Sequence, residues 1–320
     1  MGAAARIYRL YDLLLLSEEE LCLSAYRAEV GARKREVPAD IWRYREALVE
    51  PFPGECIHDV FDYKGGPRLQ VYLGEEGEIF FSYGDMRVHW SQIGRSIVLE
   101  KGTELEMRAG VVLERVVAPI AFLLERPELV ALHASAVSTS DRQAWIFLGN
   151  SGVGKSTTAL ELVRRGMSLL ADDLVLVEVT EARLLAATPT LRLFDPPAEI
   201  PEALAKELVL PEVEKYWYQF PERVEERIEF PLAGAISLEP DRDCRSPRCE
   251  QIYGSEAAVR ILSQGFDLTD GPEAFRLRRF QRLCQLARSV PLYRLCYAME
   301  DRQAPQQVEA ILKWIGEAHG

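Results

Sequence analysis

The sequence has few of the residues from which metal or disulfide frameworks are built. Its 320 residues include six cysteines and four histidines, and no two cysteines show C-x-x-C spacing. A structural zinc site is therefore not expected. Cys244 and Cys249 lie in a polar stretch and could bind a metal or oxidise. Free surface thiols of an intracellular protein are the favoured interpretation.

Long apolar runs and an excess of basic charge are also missing. Leu13–Leu16 is too short for a signal peptide and is followed at once by Glu18–Glu20, and no run reaches the roughly 20 apolar residues of a membrane-spanning helix. With 38 Lys and Arg against 50 Asp and Glu, the formal net charge is -12. Because phosphate backbones are bound by surplus basic residues, nucleic-acid binding is disfavoured. We expect a cytoplasmic protein that binds neither nucleic acid nor membrane.

The first third of the chain is predicted to be rich in β-structure. Short β-branched or aromatic runs separated by glycine-containing turns predict an antiparallel meander; they are Leu69–Leu73, Glu78–Phe81, Met86–Trp90 and Ser96–Leu99. A helix over Glu104–Glu125 follows, kinked at Pro119. We therefore expect a β-rich N-terminal domain over 1–103, a connecting helix over 104–128 and an α/β domain over 129–320.

The remainder alternates apolar strands with helices. The predicted strands are Leu129–Val137, Ala144–Leu148, Ser168–Ala171, Leu174–Val179, Leu232–Leu238 and Pro291–Tyr297. The predicted helices are Thr157–Arg165, Ser255–Leu262, Ala274–Ala287 and Gln307–Glu317. Between them, Ala182–Glu229 combines proline-rich turns with a charged helical stretch. Its polarity indicates an inserted loop or lid.

A complete phosphate-binding loop follows the strand that ends at Leu148. The segment matches G-x-x-x-x-G-K-[ST], in which backbone N–H groups surround phosphate oxygens, the lysine reaches the terminal phosphates and the serine hydroxyl can ligate Mg²⁺. The predicted nucleotide-binding residues are Gly149, Asn150, Ser151, Gly152, Val153, Gly154, Lys155, Ser156 and Thr157. A helix begins at Thr157 and should end at Gly166. The chain is predicted to bind a nucleoside triphosphate.

Two adjacent carboxylates, Asp172 and Asp173, follow the next strand. A strand-helix-strand unit brings the ends of its strands to one edge of a sheet, so both could face the phosphate site. One acid near Mg²⁺ can hold the metal while the other orients or deprotonates an attacking hydroxyl. Adjacent strand residues point to opposite faces unless the backbone bends, so the division of roles stays open. A solvated Asp-Asp turn is the alternative.

Two further features have ambiguous roles. His133 lies in an apolar strand, where a buried core histidine and a catalytic one are equally good interpretations. The basic run Arg276-Leu277-Arg278-Arg279, with Arg282, is typical of an exposed helix face, and a phosphate or substrate contact is the alternative.

The motifs His133–Val137, Gly149–Ser156, Thr158–Gly166 and Leu170–Asp173 together resemble the catalytic domain of HPr kinase/phosphorylase. The resemblance implies a P-loop kinase core of the HPr kinase and phosphoenolpyruvate carboxykinase type, a mixed sheet with flanking helices that is often oligomeric. It implies that Lys155 contacts the β- and γ-phosphates and Ser156 coordinates Mg²⁺. By the same resemblance Asp172 acts as acid/base on the acceptor hydroxyl, Asp173 supports the metal or substrate, and His133 lies near the transferred phosphate.

The sequence also departs from that family. Thr157 stands where the family has Glu, and the family's proline-arginine-glycine-arginine segment is missing. Thr188–Phe194 and Val290–Leu295 instead resemble divergent HPr-kinase-related proteins of peptide-modification pathways, including kinases that phosphorylate the C-terminal serine of lasso-peptide precursors.

The predicted function is an ATP- and Mg²⁺-dependent kinase acting on a serine of a peptide or small protein, a lasso-type precursor in particular. Two alternatives stay open: a kinase of a free hydroxyl metabolite such as serine, and a nucleotide-gated binding module without transfer activity. A homo-oligomer is compatible with either. Mechanical ATPases and GTPases are disfavoured because the sequence has no L-S-G-G-Q element and no N-K-x-D motif.

Overall fold

The computed structural model describes 6–19, 21, 24–25, 41–49, 52, 54–61, 68–101, 109–187, 190–193, 205–210, 213–219, 228–268, 271–298 and 305–318. The chain forms two compact units. Unit 1 comprises Met1–Glu125, Ala203–Tyr216 and Asp267–Arg276. Unit 2 comprises Arg126–Glu202, Trp217–Phe266 and Leu277–Gly320.

Unit 1 contains a nine-stranded sheet in the order β3-β1-β2-β4-β9-β8-β7-β6-β5. Its strands are β1 (Arg6–Leu10), β2 (Leu13–Ser17), β3 (Ser24–Ala25), β4 (Trp42–Glu46), β5 (Glu55–Phe61), β6 (Arg68–Leu73), β7 (Ile79–Tyr83), β8 (Met86–Ser91) and β9 (Ser96–Glu100). Strands β5, β6, β7, β8 and β9 pair antiparallel in sequence order, which gives four successive pairings and confirms the predicted meander. Buried and exposed side chains alternate along β8, as expected of a strand with one face toward the core: Met86, Val88 and Trp90 are buried while Arg87 is exposed.

Unit 1 also contains a helical segment that ends at Glu125. It consists of α1 (Ala109–Val112), a π-helical turn (Leu113–Val117) and α2 (Ala118–Glu125). The π-helical turn ends two residues before Pro119, which has no N–H for a regular helical hydrogen bond. The kink at Pro119 stays a prediction. Trp90 Nε1 donates to Glu125 Oε1 at 2.7 Å. Glu104–Arg108, the start of the predicted helix, lies outside the described residues.

Unit 2 is built on a mixed sheet in the order β10-β14-β15-β19-β12-β11-β13, with β21 paired to β19 and β20 paired to β21. The strands are β10 (Leu129–Leu132), β11 (Ser135–Ser138), β12 (Ala144–Leu148), β13 (Ser168–Ala171), β14 (Val175–Glu178), β15 (Arg183–Leu185), β19 (Glu229–Asp241), β20 (Arg248–Ile252) and β21 (Leu292–Ala298). Strands β12, β19 and β21 are parallel. All five residues of β12 are buried, as expected of a central strand covered on both faces. The chain is a mixed α/β protein.

The helices of this region are α3 (Lys155–Arg164), α4 (Gly254–Gln264), α5 (Glu273–Ser289) and α6 (Pro305–Ala318). Helix α3 ends as predicted at Gly166, which has φ +100°. The N–H groups of Gly166 and Met167 reach the carbonyls of Val163 and Leu162 at 3.0 and 3.1 Å, a Schellman cap. Within the described helices, none is both long and apolar enough to cross a membrane.

The prediction of a single strand over Leu129–Val137 is wrong. The segment forms two strands, β10 paired with β14 and β11 paired with β12 and β13. The strand is interrupted at His133 and Ala134, because the N–H of His133 donates to the carbonyl of Gln264 at 2.7 Å and not to a neighbouring strand. His133 therefore lies between strands and not within one.

The segment Ala182–Glu229 contains further strands, namely β16 (Thr190–Leu193), β17 (Ala205–Leu210) and β18 (Val213–Gln219). They form a three-stranded sheet in the order β16-β18-β17. The prediction of a charged helical stretch is wrong over these residues, because the β-branched and aromatic residues of β18, namely Val213, Tyr216, Trp217 and Tyr218, favour a strand. The segment also includes β15 (Arg183–Leu185) and the start of β19. Residues 188–189, 194–204, 211–212 and 220–227 lie outside the described residues.

Candidate functional site

The loop that follows β12 depends on glycine at three positions. Gly149, Gly152 and Gly154 have φ values of +142°, +82° and +98°, a region that side-chain-bearing residues rarely adopt. A Cβ atom at Gly149 would also lie 3.0 Å from the Leu238 carbonyl oxygen and 2.9 Å from a Val153 methyl. Gly154 precedes α3 without any side-chain cap. The first N–H groups of α3 therefore face the loop, the arrangement that binds anions at helix N-termini.

The Lys155 side chain folds back into this loop. It is only 7% exposed, and its Nζ donates to the carbonyls of Gly149 at 2.7 Å and Asn150 at 3.3 Å. The loop thus encloses a cation next to its backbone N–H groups. This environment attracts a polyanion such as a triphosphate. Asn150, Ser151 and Gly152 are exposed at the tip of the loop, and Thr157 is half-buried on α3.

Asp172 brings a carboxylate to the end of the loop. It follows β13, is 4% exposed, and accepts hydrogen bonds through Oδ1 from Ser156 Oγ at 2.9 Å and Ser135 Oγ at 2.5 Å. Strands β12 and β13 both pair antiparallel with β11, so they run in the same direction and end at the same edge. The sequence prediction that Asp172 and the loop share an edge is met.

Asp173 turns toward His133. Its φ of +71° is a left-handed bend. His133 Nδ1 hydrogen-bonds to the Asp173 carbonyl at 2.9 Å and lies 3.3 Å from the Asp173 carboxylate. Because the carbonyl can only accept, Nδ1 carries the proton, and Nε2 is the ring nitrogen left for a ligand. Adjacent residues of a strand point to opposite faces of the sheet. Because the backbone bends at Asp173, both aspartates can nevertheless contact residues at the junction of β10 and β11, Ser135 for Asp172 and His133 for Asp173.

Three side chains that the sequence did not indicate form hydrogen bonds with the phosphate loop or with α3. The Tyr297 hydroxyl donates to the Val153 carbonyl at 2.6 Å, and Gln307 Nε2 donates to Thr158 Oγ1 at 3.2 Å. The Gln264 amide, oriented so that its nitrogen faces carbonyls, donates to Gly149 at 2.9 Å and His133 at 3.3 Å. All three lie more than a hundred residues from their partners. Neither spacing nor composition signals contacts at that separation.

An ionic network continues from the loop along β19. Leu238 abuts Gly149, and the next residue, Glu239, accepts hydrogen bonds from Arg260 at 2.5 and 3.1 Å and from Ser237 at 3.0 Å. The Glu239 carboxylate raises the pKa of the Arg260 guanidinium. This network is a further feature that no sequence motif marked.

The site's oxygen ligands fit Mg²⁺ better than a transition metal. The Ser156 hydroxyl and the Asp172 carboxylate are hard oxygen donors, and Mg²⁺ is typically held by one or two carboxylates together with substrate phosphates. In the described ranges no three or more His, Cys, Asp or Glu side chains cluster in a way that would hold a metal without such phosphates. The glycine geometry and the enclosed Lys155 likewise fit a Mg²⁺-bound triphosphate.

The predicted surface thiols are only partly exposed. Cys244 is 3% exposed and donates to the Ser246 carbonyl at 3.0 Å, so describing it as a surface residue is wrong. Burial, with a smaller contribution from the neighbouring Glu250, raises the pKa of the Cys249 thiol to about 11. A thiol with so high a pKa is a poor metal ligand near neutral pH, because the thiolate is the ligand.

Comparison with known proteins identifies relatives of this region. Residues 129–194 match the family model described as the HPr Serine kinase C-terminal domain. The HPr kinase/phosphorylase of Leptospira biflexa is 26% identical over 209 residues, 56% of this chain and 60% of that protein. Those of Limosilactobacillus reuteri and Clostridium tetani are each 48% identical, over 69 and 44 residues.

These matches are partial. The chain spans 21% of the Limosilactobacillus protein and 14% of the Clostridium protein. The solved structure of the Hpr(Ser) kinase/phosphatase from Coxiella burnetii matches with a TM-score of 0.30 and 11% identity over 59% of this chain and 99% of that one. The resemblance predicted from the motifs is confirmed: residues 129–194, which carry the phosphate loop, His133, Asp172 and Asp173, are similar to the C-terminal domain of HPr kinase/phosphorylases.

Proposed function

We propose that the protein is an ATP-dependent kinase that transfers the γ-phosphate to a serine hydroxyl of a peptide or small protein. One observation carries this proposal: the buried Asp172 carboxylate accepts a hydrogen bond from Ser156, the residue that completes the phosphate loop. A carboxylate beside the last residue of a phosphate loop can accept the proton of a hydroxyl that attacks the terminal phosphate. The similarity of residues 129–194 to HPr serine kinases supports the same reaction.

The roles of the chain's own residues follow from their positions. The loop N–H groups and Lys155 bind the phosphates and neutralise the charge that develops during transfer. Asp172 accepts the proton of the acceptor serine, and Ser135 fixes the orientation of that carboxylate. His133 is held through Nδ1 by Asp173, which leaves Nε2 as the nitrogen that can contact the transferred group. Mg²⁺, when bound, would neutralise phosphate charge and so lower the charge repulsion against the incoming oxygen.

The metal ligands are proposed to be Ser156 and Asp173, with Asp172 left for proton transfer. The contact between Ser156 and Asp172 makes Asp172 the competing candidate for the metal. Substitution of each aspartate by asparagine separates the two assignments.

The architecture and partners are proposed from the resemblance. We assign residues 129–320 to a P-loop core of the HPr kinase and phosphoenolpyruvate carboxykinase type, 1–103 to a β-rich N-terminal domain and 104–128 to a connecting helix. The acceptor is a serine-bearing peptide, a lasso-type precursor being the specific candidate. Thr157, where HPr kinases carry Glu, argues against HPr itself as the acceptor.

The experiment that tests this proposal compares acceptor classes. The protein is incubated with γ-labelled ATP and Mg²⁺ together with serine-containing peptides, a small serine-rich protein or free serine. Label on peptide or protein supports the proposal, and label on free serine alone indicates a metabolite kinase. Nucleotide binding without any labelled product would leave only a nucleotide-gated binding module and would overturn the kinase assignment.

A further inference from the structure

A groove lies between α4 and α5 in unit 2. It encloses about 650 Å³, and its floor includes Ile252 and Leu292 at the ends of β20 and β21. The residues of its walls are Tyr253, Ser255, Ala258, Cys284, Ala287 and Arg288. We call this feature the α4–α5 groove. It lies outside the phosphate site, and none of the roles proposed above uses it.

Exposed apolar side chains extend the groove along both helices. On α5, Leu277 and Phe280 are 55% and 54% exposed, and they continue the helical stripe to which Cys284 and Ala287 belong, because residues three or four apart share a face. On α4, Val259 is 61% exposed and lies one turn after Ser255. Water-exposed apolar residues beside a groove are typical of a helix or peptide docking surface.

The charge of this surface specifies the partner. Helix α5 carries five arginines and one glutamate in a chain with a formal net charge of -12. Arg279 is buried, so the prediction that the whole basic run lies on an exposed helix face is wrong at that residue. Arg288 lies in the groove wall, and Arg278 is exposed on the neighbouring side of α5. Among the described residues, no carboxylate forms an ion pair with Arg278 or Arg288. An acidic partner would supply that missing charge.

Helix α4 connects the groove to the phosphate loop. Ser255, near its start, lines the groove, and Gln264, its last residue, contacts the backbone of His133 and Gly149. At 1.5 Å per residue, these two positions are separated by about 14 Å along the helix. An extended peptide covers that distance with about four or five residues.

We propose that the α4–α5 groove binds the acceptor chain itself, through an acidic segment with apolar side chains that lies about five residues or more from the phosphorylated serine. This inference rests on the proposed kinase function and adds the substrate class to it. The apolar anchors enter the groove between Phe280 and Val259, and the acidic side chains meet Arg288 and Arg278. The serine is thereby held near Asp172.

The test begins with a peptide library. A pool of 20-residue peptides, with a fixed central serine and all other positions randomised without serine or threonine, is incubated with the full chain, ATP and Mg²⁺. We expect the phosphopeptides to be enriched in Asp or Glu together with Leu or Phe at positions about five residues or more from the serine. Enrichment confined to the residues next to the serine would contradict the proposed role of the groove without contradicting the kinase function.

Three variants locate the recognition. Phe280→Asp and Arg288→Glu change the groove, and Ile93→Asp, at a position 77% exposed in unit 1, is the matched control. For the most enriched peptide we expect the two groove variants to raise KM by about tenfold or more, as for anchor residues of other interfaces, with kcat changed less than about twofold. Peptides cut to six residues around the serine should show no difference between the variants and the wild type.

A binding measurement separates recognition from chemistry. The enriched peptide, labelled with fluorescein and with its serine replaced by alanine, should bind wild-type and Lys155→Ala protein equally and Phe280→Asp protein at least about tenfold more weakly. Equal binding by all variants would contradict the proposal. So would a loss of self-association in Phe280→Asp, measured by light scattering, because it would assign the groove to a second copy of the chain. Failure of the wild type to phosphorylate any peptide would instead refute the kinase function itself.

Discussion

At the scale of single residues, the two aspartates occupy different surroundings although they are neighbours. Asp172 is buried between the hydroxyls of Ser135 and Ser156, whereas Asp173 is bent toward His133 and is 31% exposed at its side chain. The sequence indicated that both could face the phosphate site and left their division of roles open. It could not predict their division, because that depends on a left-handed backbone at Asp173 which no local residue pattern marks.

Substitution of each aspartate by asparagine should give distinct defects. We expect Asp172→Asn to lower kcat by about 100- to 10,000-fold, because an amide cannot accept the serine proton, and to leave ATP binding within a few-fold of wild type. Asp173→Asn should chiefly raise the Mg²⁺ concentration needed for half-maximal rate. Steady-state kinetics over a Mg²⁺ titration measures both effects. If the Mg²⁺ defect appears in Asp172→Asn instead, Asp172 is the metal ligand.

Cys249 should react slowly because burial raises the pKa of its thiol to about 11. Only about one part in a thousand is then thiolate at pH 8, and the thiolate is the reactive form. We expect the alkylation rate of Cys249 in the folded protein to rise about tenfold per pH unit from pH 8 to pH 10. Mass-spectrometric peptide mapping after timed iodoacetamide treatment follows this rate.

The control is the same protein in denaturant, where the Cys249 rate should level off above about pH 9 because an unperturbed thiol has a pKa of about 8.5. A levelling of the rate near pH 8 in the folded protein would show that burial does not protect this thiol.

At the scale of elements, the strands and helices around the phosphate loop were largely predictable. β12, α3 and β13 have clear apolar runs, a glycine turn and a glycine cap, and these local signals agree with one another. The break of Leu129–Val137 into β10 and β11 was not predictable. It depends on a hydrogen bond from His133 to Gln264, which belongs to a helix far along the chain.

The phosphate loop should fail when a side chain is added at Gly149. Gly149→Ala places a methyl group 3.0 Å from the Leu238 carbonyl oxygen in a left-handed conformation. The two effects together should cost about 2–5 kcal/mol of unfolding free energy, with loss of nucleotide binding. Urea unfolding and ATP titration give the two quantities.

Gly166→Ala is the matched control for this substitution. Gly166 has a similar positive φ but open space where a Cβ would lie, so only the backbone penalty of about 1–2 kcal/mol applies. ATP binding should be retained. Equal losses in Gly149→Ala and Gly166→Ala would show that the close approach of β19 to the loop is unimportant.

At the scale of the whole molecule, charge is distributed unevenly. A chain with a net charge of -12 concentrates five arginines on α5. The sequence raised a substrate contact as one interpretation of that basic run. The groove beside it could not be predicted, because its walls come from two segments, 251–258 and 284–292, which meet only in the folded chain. The net negative charge disfavours nucleic-acid binding, but it does not identify an acidic peptide as a partner.

Phosphoryl transfer to serine is the central claim, and intact-mass analysis of peptides tests it most directly. Serine-containing peptides are incubated with ATP and Mg²⁺ and either the wild-type protein or Lys155→Ala, with peptides in which alanine replaces serine as controls. We predict a mass increase of one phosphoryl group on serine peptides with the wild type only. An unchanged peptide mass with a wild-type protein that binds ATP, or an equal increase with Lys155→Ala, would contradict the account.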